Sequence, residues 1–171
     1  MRRLVLIAAL LLAGMSTASA APLQPELSGL GFLIGNWAGG GKLADTGGRA
    51  RGTSKITAEV GGAVLQRRDH TALYDAAGKP AGGFDQLMLV YADAGAIHAD
   101  YFDGTHVIHY VQAEITPGKS VVFTTMPGGG PTFRLTYELK APDSLDISFA
   151  MAPPGQTAFN PIATGTVHRA R

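Results

Sequence analysis

The sequence predicts an all-β chain: an antiparallel up-and-down β-barrel of about ten strands, entered through one short helical turn. Three observations carry that prediction. Clusters of Gly, Pro, Asp and Asn recur at near-regular spacing between Asn36 and His168, where turns would separate short strands. Between the clusters, apolar and polar residues alternate. Phe133, Leu135, Tyr137 and Leu139 fall on one face against Thr132, Arg134, Thr136, Glu138 and Lys140, and Leu145, Ile147, Phe149 and Met151 repeat the pattern against Asp146 and Ser148. Helical periodicity, finally, is confined to the N-terminal part of the chain. Ten one-sided strands on short connections would leave costly edges unless the sheet closed, which favours a barrel over a two-sheet sandwich.

In order along the chain, Arg2 and Arg3 precede an apolar run from Leu4 to Ala13 and then Ala18-Ser19-Ala20, the pattern of a secretory signal peptide cleaved after Ala20. The run is shorter than the roughly 20 apolar residues a bilayer span requires, so no membrane insertion is expected after cleavage. The expected organisation is a signal peptide over 1–20 and a single barrel domain over 21–171, in a periplasmic or secreted protein. Pro22 to Pro25 reads as a leader and Glu26 to Ile34 as a helical or 3₁₀ turn. The strands are expected at Asn36 to Leu43, Ala50 to Glu59, Ala63 to Tyr74, Phe84 to Ala92, Ala96 to Phe102, Thr105 to Ile115, Ser120 to Met126, Thr132 to Lys140, Ser144 to Met151 and Pro161 to Arg169. The first contains Trp37, the only tryptophan, followed by Gly39-Gly40-Gly41. A large ring beside residues without side chains predicts a strand that packs tightly and then bends, with Trp37 plugging one end of the sheet.

The motif Gly35-x-Trp37-x-Gly39-x-Gly41 after an apolar turn resembles the first strand of nitrobindin-like haem-binding barrels, of the calycin group with lipocalins and fatty-acid-binding proteins. The chain is also similar to secreted bacterial relatives that begin Phe-Leu-x-Gly-x-Trp. That resemblance implies the same closed barrel along most of the chain and a haem-ligating histidine in a Pro-His step near the final strand. Here the step reads Pro161-Ile162. An aliphatic side chain cannot coordinate iron, so Ile162 separates the haem from the fold.

Charge and cysteine content exclude several function classes. Without Arg2 and Arg3, twelve Lys and Arg face thirteen Asp and Glu, a net charge of −1 with neutral histidines and no run of like charges. Such a chain offers no footprint for nucleic acid or anionic lipid. With Cys 0, disulfides, thiolate catalysis and cysteine metal ligation are excluded, and stability must come from burial. No Gly-x-Ser-x-Gly elbow or Gly-x-x-x-x-Gly-Lys-Ser/Thr loop is present, so serine hydrolysis and phosphoryl transfer are not indicated.

Two constellations remain. Asp103-Gly104 is the dipeptide of a two-residue hairpin turn, which sets Phe102 opposite Thr105, Tyr101 opposite His106 and His98 opposite His109. His98, Asp100 and His109 then share one face, as a weak set of metal ligands or an imidazole base oriented by a carboxylate, while Tyr101 lies on the other face. The plainer reading is a solvated polar face. On the third strand Gln66, Arg68 and His70 share one face and Leu65, Arg67, Asp69 and Thr71 the other. The fatty-acid-binding resemblance implies an interior arginine for a carboxylate, Arg68 or Arg67, whereas a cross-strand salt bridge with Asp69, Asp85 or Glu59 is the alternative. The leading expectation is a barrel that binds a small hydrophobic or amphipathic ligand through Trp37, Arg68, His70, His98, Asp100, Tyr101 and His109. It is set against a metal-assisted or acid–base enzyme at His98, Asp100 and His109, and against a structural or partner-binding barrel with a filled interior. No cofactor is assigned.

Overall fold

The computed structural model describes residues 21–170; the expected signal peptide lies outside the described residues. Ten antiparallel strands close into a barrel: β1 (Gly35–Leu43), β2 (Arg49–Glu59), β3 (Val64–Tyr74), β4 (Pro80–Asp93), β5 (Ala96–Phe102), β6 (Val107–Thr116), β7 (Ser120–Thr125), β8 (Thr132–Ala141), β9 (Ser144–Ala152) and β10 (Asn160–Arg169). Each strand pairs with its sequence neighbour, and β10 returns to β1, Trp37 opposite Arg169 and Leu43 opposite Ala163. Closure leaves no edge unpaired, the condition that disfavoured the sandwich. Among the described residues no helix is long and apolar enough to cross a membrane.

One end of the barrel is sealed by the 3₁₀ segment Pro25–Leu33, which folds across it and buries Leu27, Leu30, Phe32 and Leu33. Trp37, only 1% exposed, lies beneath this cap and donates its indole Nε1–H to the carbonyl of Leu33 at 2.8 Å. Arg169 covers the other face of the ring. Its guanidinium carbon sits 4.4 Å from the indole, and its nitrogens donate to the carbonyls of Ile34, Phe32 and Pro142. The Phe32 and Ile34 carbonyls close the end of the cap and that of Pro142 lies in the β8–β9 turn, so one cation satisfies backbone acceptors, stacks on the tryptophan and ties the last strand to the cap before the first. Ile56, Leu65, Val90, Ala99, Val121 and Leu145 complete the apolar fill. A fully buried Leu or Phe contributes roughly 1.5–3 kcal/mol, which is how a chain without disulfides stays folded.

Two expectations are corrected. The expected strands Ala63 to Tyr74 and Phe84 to Ala92 leave Asp75 to Gly83 as the third connection, but β4 begins at Pro80. The Asp75 carboxylate accepts the backbone N–H of Lys79 at 2.8 Å and makes a shorter turn, after which Gly83 pairs opposite Ala72. In the β5–β6 hairpin, Asp100 rather than His98 faces His109, and Phe102 faces Val107, a slip of two residues from the expected register. The cause is the side chain of Asp103. Its Oδ1 accepts the N–H groups of Thr105 (2.9 Å) and His106 (2.6 Å), so the loop spans Asp103 to His106 instead of turning on Asp103-Gly104 alone. A slip of two leaves each residue on its expected face.

Candidate functional site

Beyond the tryptophan seal the barrel has too little side-chain volume to fill itself. Gly39 and Gly41 of β1, Gly52 of β2 and Gly165 of β10 occupy inward positions, in register with one another across the three adjoining strands. At Gly41 a Cβ would lie 2.1 Å from the Thr164 carbonyl oxygen and at Gly39 2.3 Å from that of Thr166, so these strands approach too closely for any side chain. The bare wall faces a cavity of about 220 Å³. Leu43, Leu73, Phe84, Ile147, Phe149 and Val167 make its remaining sides apolar, and Phe149 stacks on Phe133 with ring centroids 5.6 Å apart.

Lys42, Arg51, Thr53 and Thr164 also border the cavity, but they hold outward positions on their strands, and the inward polar side chains come from one quarter. Ser54, Asp69, Thr71 and Gln86 line it on β2, β3 and β4, with Asp69 opposite Ser54 on one side and Gln86 on the other. Behind them Arg67 is buried. It pairs with Asp69 Oδ2 at 2.8 Å and donates to Gln86 Oε1 at 2.9 Å and to the Tyr137 hydroxyl, between the rings of Tyr101 and Tyr137. Burial opposes the charge on Arg67, but Tyr137 and Asp69 outweigh it and hold the guanidinium protonated. Burial likewise pushes the hydroxyls of Tyr101, Tyr110 and Tyr137 upward, so all three stay neutral hydrogen-bonding groups. The network is incomplete. Ser54 Oγ, Asp69 Oδ1 and Arg67 Nε are buried with no hydrogen-bond partner among the described residues. An unpaired buried polar atom costs about 1–3 kcal/mol, and two of these three belong to side chains that line the cavity.

The structure separates the residues singled out from sequence. Trp37 and Tyr101 face inward, Trp37 at the sealed end and Tyr101 beside Arg67, with its hydroxyl 3.2 Å from Asp103 Oδ2. Arg68 and His70 face outward and line, with Trp37, Lys55 and Asp85, a surface groove separate from the glycine-walled cavity. Arg68 donates to Gln66 Oε1 at 3.3 Å, and His70 Nδ1 lies 2.8 Å from Asp85 in a pair exposed at both partners. The interior arginine is Arg67, and its bridge to Asp69 runs along β3 rather than across to a neighbouring strand. His98, Asp100 and His109 also lie on the outer surface. Asp100 meets His109 at 2.7 Å and accepts the Tyr91 hydroxyl at 2.9 Å, while His98 is stacked on Tyr91 instead of joining them. Among the described residues no three His, Asp or Glu side chains converge as a metal site. Ile162 occupies a bulge in β10 between Pro161 and Ala163, where its carbonyl accepts the Ala44 N–H at 2.9 Å.

Ser54, Asp69 and Gln86 were missed as site residues. The signal was present: Leu65 and Leu73 bracket Arg67, Asp69 and Thr71 at spacing two, so the face that carries the leucines is the buried one.

Comparison with solved structures gives the fold its context. The chain is similar to Rv2717c from M. tuberculosis, at 19% identity and TM-score 0.60 over 87% of this chain and 99% of that one. Weaker likeness extends to the S-type phycobiliprotein lyase CPES from Guillardia theta (11% identity, TM-score 0.49, 82% and 89% covered). The barrel EF1p2_mFAP2b bound to DFHBI gives 11% identity and TM-score 0.45, with 84% and 98% covered. No protein family and no curated protein matches the chain. At these identities the likeness is one of fold alone, a closed ten-stranded antiparallel barrel.

Proposed function

We propose that this chain is a small-molecule-binding barrel whose ligand occupies the glycine-walled cavity. One observation carries the reading: a mostly apolar cavity of about 220 Å³ is edged by buried polar atoms, Ser54 Oγ and Asp69 Oδ1, that the protein itself leaves unpaired. A barrel with a purely structural interior would gain stability from filling that space and satisfying those atoms. The reading extends to an exported chain, whose ligand would be met outside the cytoplasm.

Haem is not the ligand in this reading, although the sequence resembles haem-binding barrels. No His, Met, Tyr or Cys lines the cavity, so none of the usual axial donors is at hand, and Ile162 stands in the bulge instead. A carboxylate ligand on Arg68 or Arg67 is also disfavoured, because Arg68 faces solvent and Arg67 is neutralised by Asp69.

Native mass spectrometry of the protein purified from its own cells tests the proposal, beside Thr71→Phe and Ala163→Phe, which fill the cavity from β3 and β10. A small-molecule adduct on the wild-type chain that both variants lose is the expected result. An adduct that survives in both filled variants would place the ligand elsewhere and overturn the assignment.

A further inference from the structure

We infer that the cavity selects a flat, neutral or cationic molecule presenting an N–H or O–H donor to Asp69 Oδ1 and Ser54 Oγ, and that it rejects carboxylates. The inference rests on the cavity being the binding site and concerns what the site will take.

The electrostatics decide the sign. Arg67 is the buried cation next to the cavity: its two terminal nitrogens are committed to Asp69, Gln86 and Tyr137, and the residue, with its unpaired Nε, does not line the cavity. The carboxylate of Asp69 is only half committed: Oδ2 takes the guanidinium and Oδ1 takes nothing among the described residues. Asp69 and Ser54 line the cavity and Arg67 does not, so a ligand that displaces the packing over the buried Asp69 Oδ1 gains an acceptor and leaves the cation behind it. An incoming carboxylate would set its charge against Asp69 without reaching Arg67, and like charges in a poorly solvated site repel strongly. A donor reverses that outcome, since it completes a charge-assisted hydrogen bond to Oδ1. Ser54, opposite Asp69 in the register, supplies a second oxygen for the same hydrogen or a neighbouring one. Gln86 offers its amide N–H₂ for an acceptor on the ligand, because its carbonyl is engaged by Arg67.

Shape follows from the wall. Gly39, Gly41, Gly52 and Gly165 present backbone without side chains, and Phe84 and Phe149 bring aromatic rings to the same cavity. Peptide planes and phenyl rings favour a flat, ring-shaped occupant over a branched one.

Four flat probes isolate the donor and charge requirements by isothermal calorimetry: indole, indene, benzamidine and benzoate. Indole and indene share shape and apolar surface and differ in the N–H. Indole should bind at least about tenfold more tightly than indene, the usual margin for a hydrogen bond to a charged acceptor, and benzamidine at least about tenfold more tightly than benzoate. Ser54→Ala and Asp69→Asn, each checked for an unchanged circular dichroism spectrum, should narrow the indole–indene gap. Equal binding of indole and indene, both lost in Thr71→Phe, would overturn the donor requirement while leaving a binding cavity. Benzoate binding as well as benzamidine would overturn the charge requirement. Binding of all four probes unaffected by Thr71→Phe would instead remove the cavity as the site and the inference with it.

Discussion

The two halves of the barrel interior are lined by the same strands and differ in what their inward positions carry. At the capped end β1 contributes Trp37, locked between the Leu33 carbonyl and the Arg169 guanidinium, and the surrounding residues are close to fully buried. Two and four residues further along the same strand the inward positions are Gly39 and Gly41, and the interior opens into a cavity. A single strand thus supplies both the plug and the bare wall. Filling one end gives the fold its stability, and the other end can then remain empty, because marginal stability tolerates a void of limited size only where packing elsewhere compensates.

The largest test of that contrast is truncation on either side of it. Trp37→Ala removes a side chain with no room to relax and should cost about 3–5 kcal/mol, seen as a fall in Tm of roughly 10 °C or more. Phe149→Ala, beside the existing cavity, should cost only about 1–2 kcal/mol, because its neighbours already lack contacts on one side. Equal losses in urea denaturation would show that the glycine-walled half is as tightly built as the capped one.

The next effect lies at the boundary between the halves. Arg67→Ala leaves the mostly buried Asp69 carboxylate without its cation, which should destabilise the fold by about 3–5 kcal/mol. The double change Arg67→Met with Asp69→Leu should restore most of that loss, and calorimetric melts of both variants would show whether the pair serves the site at the expense of stability.

The smallest effect belongs to the outer loop that set the β5–β6 register. Asp103 is partly buried, which opposes its charge, yet the N–H groups of His106 and Thr105, with the His106 and Tyr101 side chains, hold its carboxyl below the usual carboxylate range. A depressed carboxyl contributes stability above the unfolded value of about 3.9, and that contribution is lost as pH falls through the lower folded value. Asp103→Ala should therefore cost about 1 kcal/mol near neutral pH. The gap from wild type should shrink in urea melts taken well below pH 4.

Much of the fold was legible because its signals are local. Asp, Gly and Pro clusters marked the connections, and alternation such as Phe133, Leu135, Tyr137 and Leu139 marked the strands, so all ten strands and the closed order were expected. The site was far less legible. On β3 both faces carry polar residues through the middle of the strand, which favours neither Arg68 and His70 nor Arg67 and Asp69, and only Leu65 and Leu73 near its ends mark the inward face. His98 and His109 were paired through the Asp103-Gly104 signal, and the register moved because the Asp103 side chain captured two backbone N–H groups, a competition among nearby groups that a dipeptide pattern does not resolve.

The sequence by itself determined the all-β class, the ten strands, the up-and-down order, the absence of thiol chemistry and the place of Trp37 as the sealing residue, since period, turn residues and composition act over a few positions at a time. Only the tertiary structure decided that Gly39, Gly41, Gly52 and Gly165 meet across three strands to leave a cavity, and that Ser54 and Asp69 keep unpaired oxygens at its edge. Those residues are far apart in the chain, and the closure of the sheet brings them into one space.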